Sequence, residues 1–401
     1  MKILYFNYLY DLYGVSIGST IKAERLMAAL SEFGFDVQIF WLKKQPQTGT
    51  ENNKKKALNE TLKQYLARYL HDLKALLLNI RYIYEEYKIV KKQKPDLIIA
   101  RLDLYLFSAL LISKLKKIPL IIEADAPCVY EAREFHPQYW GIPNLAEFIE
   151  KLNLYQADLS ICVSNEAKKY FLKYGVPDQK LNVVTNGADI NLFNNEFQNE
   201  KIISTYGLKN KIVIGFIGSF HLWHGVENLI HLIKQVVCIN QRVVFLLVGQ
   251  GGPMQSSIES FIETNNLSDK VIKTGYISHD EIPEYISAMD VVLAPYPGLK
   301  FFYYSPVKIF EYMACGKPVV STKIGQIAEL IEDGYNGMIC SPDNLDEMYN
   351  KIKRLVNEPG LRNRIGENAR NSILQNHSWR EKGRQLSKMC NEVINSYKGK
   401  A

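Results

Sequence analysis

Short apolar runs alternate with helical stretches along this chain, and the alternation stops once and then restarts. Runs at 3–7, 36–41, 96–100, 119–123 and 157–164 lie before the break, with Val183-Val184 closing the series. Runs at 212–217, 243–248, 271–274, 290–294, 318–321 and 338–340 follow it. Runs apolar at successive positions suit parallel strands covered on both faces, and helical spacing fills the gaps between them. The pattern predicts an α/β chain with two doubly wound, Rossmann-like domains facing each other across a cleft. The polar stretch Asn194 to Lys201 is the predicted linker, placing the domains at 1–195 and 196–379.

At 401 residues the chain can bury two separate cores. No stretch reaches the roughly 18 uninterrupted apolar residues that a membrane-crossing helix needs. The apolar start Ile3 to Phe6 is broken by Asn7 and Asp11 with no small-residue cleavage site after it, so it reads as a first strand rather than a signal peptide. Six scattered cysteines without a C-x-x-C pair argue against zinc or a disulfide framework and for a reducing cytoplasm. The net charge of +7 is uneven: residues 43–94 alone carry +8, leaving −1 for everything else. That is unlike a nucleic-acid binder, whose basic surface is broad. Within it, residues 57–92 have apolar positions spaced by threes and fours, which predicts one long helix or a broken helical pair. Its apolar face is expected to pack on the first domain, leaving the lysines solvated. Two alternatives stay open for 54–94. One is contact with an anionic membrane at its inner face, helped by Tyr65, Tyr69, Tyr82, Tyr84 and Tyr87; the other is binding of an anionic acceptor.

Ligands of such sheets bind beyond the carboxyl ends of the strands. One helix start there is built for an anion. Ser305 suits an N-cap and Pro306 the first helical position, so the amides of Val307 and Lys308 point outward unpaired. Lys308 stands where a capping box would place Glu or Gln, adding positive charge to the positive end of the helix dipole. Glu311 follows on the same face, where a carboxylate can accept from sugar hydroxyls. Gly218-Ser219-Phe220-His221-Leu222-Trp223-His224-Gly225 follows a buried strand and offers backbone donors together with His224. Gly249 opens a turn shaped for close backbone approach, and Tyr276 is placed to flank a base or to pack. In the first domain, Gly14, Gly18 and Ser19 form a loop that lets backbone approach a phosphate. Asp125, with Glu123 and Arg101, lies at strand ends; as a purely structural group Asp125 would cap the next segment or pair with Arg133.

In order and at these spacings, Ala157-Asp158 through Ser164, Asn186-Gly187-Ala188-Asp189 with Phe193, Gly218 to Gly225, and Ser305 through Pro318 with Glu329 make the chain resemble the retaining GT-B glycosyltransferases of the family-4 type (glycosyl transferases group 1) over almost its full length. The resemblance implies metal-independent transfer of a sugar from a UDP- or GDP-linked donor, without a bound cofactor, to a glycan or lipid-linked acceptor in cell-surface polysaccharide or glycoconjugate synthesis. It implies an acceptor-binding first domain, a donor-binding second domain and a C-terminal helix, 380–401, returning to the first. Glu311 matches the second glutamate of the family's paired motif, which binds ribose. Tyr303 stands where the first is usual, so this chain fits the subset with Ser-Pro-x-Lys-x-x-Glu. His224 replaces a usual Arg or Lys, and a nearby diphosphate is expected to raise its pKa. Asp125 falls where relatives carry a histidine near the reacting sugar. Asp125, His224 and Lys308 are thus the candidate catalytic groups; Gly18, Gly218, Ser219, His224, Gly249, Tyr276, Ser305, Pro306, Val307, Lys308 and Glu311 are the candidate donor-binding groups. A GT-B-fold epimerase or hydrolase, and a non-catalytic sugar-nucleotide-binding partner of another transferase, are the alternatives. The lack of G-x-G-x-x-G after the first strand argues against a Rossmann oxidoreductase.

Overall fold

A computed structural model describes residues 1–8, 17–42, 60–135, 142–196 and 199–399. Gly14, residues 54–59 of the basic segment and the side chain of Tyr65 lie outside the described residues. The chain divides into two compact units, Met1–Thr185 with Lys382–Ala401, and Asn186–Glu381.

The first unit runs β1 (Lys2–Asn7), α1 (Ile17–Ser31), β2 (Asp36–Trp41), α2 (Glu60–Gln93), β3 (Leu97–Arg101), α3 (Ser108–Lys116), β4 (Leu120–Ala124), α4 (Cys128–Phe135), α5 (Pro143–Gln156), β5 (Leu159–Cys162), α6 (Asn165–Lys173) and β6 (Leu181–Val183). Its parallel sheet has the order β2-β1-β3-β4-β5-β6, so the direction of winding reverses between β1 and β3. Ser164 caps α6 by accepting from the Ala167 amide at 3.1 Å, as a serine before a helical run should. Helix α3 starts at Ser108, three residues after Tyr105 takes a left-handed conformation (φ 62°).

The long basic segment is one helix, α2, with its described lysines exposed as expected and Tyr82 and Val90 buried, but its inward face also carries polar side chains. Asp72, Asn79 and Glu86, seven residues apart, point inward and are fully buried. Asp72 accepts from the Tyr105 hydroxyl at 2.5 Å and the Ile142 amide at 2.7 Å. Asn79 accepts from the Phe107 amide at 2.8 Å and donates to the Tyr105 carbonyl at 2.9 Å. Glu86 accepts from Tyr8 at 2.9 Å and Ser108 at 2.6 Å. Asn79 thus satisfies the backbone of the irregular 105–108 stretch, while Asp72 and Glu86 hold the Tyr105 and Ser108 hydroxyls, which a leucine face could not do. The price is that Leu70, Leu73, Leu77 and Ile80 stay exposed.

The second unit runs α7 (Glu200–Thr205), β7 (Ile212–Ile217), α8 (Val226–Val236), β8 (Val243–Val248), α9 (Gln255–Thr264), β9 (Val271–Gly275), α10 (Ile282–Ser287), β10 (Val291–Ala294), α11 (Val307–Ala314), β11 (Val319–Thr322), α12 (Ile327–Leu330), β12 (Met338–Cys340), α13 (Leu345–Asn357), α14 (Pro359–Asn376) and the start of α15 (Trp379–Lys398). Its parallel sheet has the order β12-β11-β10-β7-β8-β9, the doubly wound arrangement, with the switch point between β7 and β10. Successive residues of β7 feed opposite cores: Ile212, Ile214 and Phe216 pack with α8, α9 and α13, while Val213 packs with α10, α11 and α14. Two-sided burial is why these strands read as continuous apolar runs.

The unit boundary falls at Thr185/Asn186, earlier than the polar stretch suggests. Residues 186–195 belong to the second unit because Ala188 bridges to Ser378, Phe193 is buried in its core, and Asn186 bonds to Ser305. From Lys382 onward α15 groups with the first unit, where an added Cβ at Gly383 would lie 2.8 Å from the Ala29 side chain.

Candidate functional site

At the switch point of the second sheet, the chain leaves β7 through Gly218 and leaves β10 toward α11. Gly218 has φ +139°, and a Cβ there would lie 2.7 Å from Lys308 Nζ. Gly249, after β8, has φ +131° and presses its backbone on that of Gly218, where a Cβ would meet the Gly218 carbonyl oxygen at 2.5 Å. Two glycines thus bring two strand-end backbones together above the ammonium of Lys308, as only residues without side chains allow. Ile217, at the end of β7, is fixed by its amide donating to the buried Tyr312 hydroxyl at 2.7 Å. The sequence pattern gave no sign of that bond, since a tyrosine inside an apolar helix face reads as packing.

Lys308 Nζ is buried and has no hydrogen-bond partner among the described residues. It lies 4.8 Å from the Phe216 ring centroid and 5.9 Å from that of Tyr296. Burial pulls its pKa from 10.5 down to about 7, and Glu311 offsets this only in part. A cation desolvated without a counter-ion is costly, and an external anion would relieve the cost. The first amides of the helix it belongs to, those of Val307 and Lys308, have no intrahelical partner.

Ser305 does not cap α11. The N-cap position is Pro306, without a side-chain cap bond, and Val307 is the first helical residue. The Ser305 hydroxyl instead accepts from the Asn186 amide at 3.0 Å, and Asn186 Nδ2 donates to the Ser305 carbonyl at 2.5 Å. This paired bond leaves the first-turn amides of α11 open. Glu311 Oε1 meets His279 Nε2 at 2.7 Å, which orients the carboxylate. Tyr303 is buried, its ring 4.2 Å from that of Tyr304 and 5.3 Å from that of Phe301, so it is core rather than a substitute for a glutamate. Tyr276, just after β9, is 54% exposed.

His224 departs from the expected cation. Its Nδ1 lies 2.8 Å from the Ser219 carbonyl, which can only accept, so Nδ1 carries the proton. Burial, and then the neighbouring Lys308, pull its pKa down to about 3. The imidazole is neutral at pH 7, and its Nε2 is an acceptor suited to a hydroxyl. Ionisation in the neutral range therefore belongs to Lys308 rather than to His224. His221, stacked on Trp223 at 4.2 Å, bonds through Nδ1 to Ser219 Oγ at 2.9 Å.

Asp125 and Gly18 lie in the first unit. Gly18 is in the first turn of α1, where an added Cβ would meet nothing within 4 Å among the described residues beyond its own turn of helix. Asp125 does not pair with Arg133, which bonds to Glu134. It is gripped by the buried Lys22 and by Arg101, and Lys22 also meets Glu123 Oε1 at 3.0 Å. Burial works to raise the Asp125 pKa, but the two cations outweigh it and hold the carboxyl below its usual range. Lys22, one turn into α1, was not legible as a partner, because nothing in the sequence ties it to residues a hundred positions later.

Residues 198–372 match the family model of glycosyl transferases group 1, and residues 18–192 match that of glycosyltransferase family 4. An uncharacterised glycosyltransferase of Methanocaldococcus jannaschii is 25% identical over 249 residues, 62% of each chain. The UDP-Gal:alpha-D-GlcNAc-diphosphoundecaprenol alpha-1,3-galactosyltransferase of Escherichia coli is 23% identical over 312 residues, covering 75% of this chain and 76% of that protein. Three of the curated relatives are spanned over only 50% to 64% of their own length. An Anabaena protein solved in complex with UDP superposes with a TM-score of 0.70 at 21% identity, over 98% of this chain and 100% of that one, which shows the GT-B fold.

Proposed function

We propose that this chain, which belongs to the group 1 glycosyltransferases of GT-B fold, transfers a hexosyl unit from a nucleoside diphosphate sugar, with retention and without a metal, to a glycan or lipid-linked acceptor. The observation that carries the reading is the buried, unpaired ammonium of Lys308 under the Gly218 turn. In the reaction the bond from the anomeric carbon to the diphosphate oxygen breaks and one to the acceptor hydroxyl forms on the same face. The acceptor proton passes to the departing phosphate. Lys308 and the amides of Val307 and Lys308 meet the charge that develops on that phosphate, in a desolvated place where such interactions are strongest. Glu311, aligned by His279, takes the ribose hydroxyls; Tyr276 flanks the base; neutral His224 accepts from a sugar hydroxyl through Nε2. Asp125, saturated by Lys22 and Arg101, holds those cations in place rather than taking the acceptor proton.

The Anabaena neighbour was solved with UDP, which favours a uridine donor here. The name of the Escherichia coli relative specifies a polyprenyl-diphosphate-linked acceptor, which favours the same chemical class and a place in cell-surface glycan synthesis. The six cysteines, all free thiols, fit a cytoplasmic setting.

Thermal-shift titration with UDP, GDP and their sugars tests the donor, because a ligand of the folded state raises the melting temperature with occupancy. Product analysis of the purified chain then separates the outcomes. Nucleotide release that requires acceptor supports transfer, and release without acceptor makes the chain a hydrolase. A changed donor sugar would make it an epimerase. Binding without turnover would leave it a non-catalytic partner.

A further inference from the structure

Helix α2 carries a stripe of outward apolar residues, Leu70, Leu73, Leu77, Ile80 and Tyr84, from 48% to 67% exposed. The spacing alternates threes and fours, so they form one line about 20 Å long on a single helix face. Lys74, Arg81, Lys88 and Lys92 follow one edge of the line and are exposed. Among the described side chains of α2, the acid near that edge is Glu85, bonded to Arg81 at 2.8 Å. Lys88 lies 4.0 Å from the Tyr84 ring centroid, and Lys116 of α3 lies 4.1 Å from that of Tyr87. On α3 itself Leu115 is 64% exposed.

Isolated surface leucines need no explanation, but a continuous line of them does. The polar inner seam of α2 fixes which face is outward, so the leucines cannot turn in without stripping Asp72, Asn79 and Glu86 of their bonds. No helix among the described residues is long and apolar enough to cross a membrane. A convex apolar line edged by lysines and arginine, with tyrosines toward its end, suits a flat anionic surface. An antiparallel second copy is the poorer occupant, because such a pair sets basic edge against basic edge.

We propose that α2 lies flat on an anionic phospholipid bilayer, with Leu73, Leu77 and Ile80 inserted at the headgroup boundary and the cationic edge against lipid phosphates. This binding requires neither donor nor acceptor, so it stands or falls apart from the transfer reaction.

The test is co-sedimentation of the full chain with phosphatidylcholine vesicles, with and without phosphatidylglycerol, at low and high salt. Binding is expected with phosphatidylglycerol at low salt and should weaken as salt rises. Leu77→Asp with Ile80→Asp should lower the partition coefficient at least about tenfold. Arg81→Glu with Lys88→Glu should remove the preference for anionic vesicles. Leu374→Asp, at an exposed position on α14, should bind like the parent, and melting temperatures should be unchanged throughout. No binding at low salt would overturn the proposal, as would equal binding by the Leu77/Ile80 variant. So would a dimer in solution that this variant converts to monomer, since that would make the stripe a self-association surface.

Discussion

Ser305 accepts a hydrogen bond from the Asn186 amide while its own carbonyl takes one from the Asn186 side chain, across 119 positions of sequence. The serine that introduces α11 is thus spent on tying down the Asn186-Gly187 loop. On the loop's other side, the Ala188 amide donates to the His377 carbonyl at 2.9 Å. Ser305→Ala leaves a buried amide without its acceptor and should cost about 1–3 kcal/mol of stability. Urea unfolding measures this. Ser305→Thr, which keeps the hydroxyl, should recover part of the loss.

Lys308→Met should act in opposite directions on stability and binding. Removing a buried, uncompensated ammonium should raise the melting temperature of the free protein near neutral pH by a few degrees. Affinity for a nucleoside diphosphate should fall at least about tenfold. Thermal melting with and without UDP checks both. Because burial lowers the lysine pKa to about 7, its cost is present in full below that pH. It is relieved as pH rises toward 10.5, since the unfolded chain binds the extra proton in that window. Diphosphate binding at pH 8 should therefore take up protons, measurable by calorimetry in buffers of differing ionisation enthalpy.

The first unit should show the opposite trend. Burial pushes Glu86 and Glu150 up from 4.5 to about 8. Both are protonated in the folded state at pH 7 and ionised in the unfolded chain. Their contribution is complete below about pH 4.5 and is lost as pH rises through 8. Glu86→Gln should flatten this decline, and melting curves between those limits would show it.

Asp125→Ala should destabilise more than an exposed substitution, by roughly 3–5 kcal/mol, because it strands Lys22 and Arg101 in a buried setting. Asp125→Asn keeps hydrogen bonding and should lose less. If Asp125 instead took the acceptor proton, Asn would abolish turnover with little change in melting temperature.

The strands were legible because two-sided burial writes continuous apolar runs such as Val243 to Val248, and the start of α11 was legible to within one residue from Pro306. Contacts between distant positions were not. Nothing local in Ser305 distinguishes a cap from a partner for Asn186, and nothing in His224 announces that a carbonyl fixes its tautomer. The helical period of α2 was plain, and Tyr82 and Val90 do face inward, yet the rule that apolar residues face inward missed Asp72, Asn79 and Glu86 on the same side. Their neighbours there are the Phe107 and Ser108 amides and the hydroxyls of Tyr8, Tyr105 and Ser108, which call for polar side chains.

That polar seam also sets how α2 responds to temperature. Alongside the buried Tyr82 and Val90, hydrogen bonds of Asp72, Asn79 and Glu86 fasten the helix, and releasing those polar groups adds nothing to the heat capacity of unfolding. Apolar cohesion weakens on cooling, whereas a bonded seam of this kind does not share that loss. Helix α2 should therefore remain seated in the cold, when the apolar cores on either side of the sheets are at their weakest.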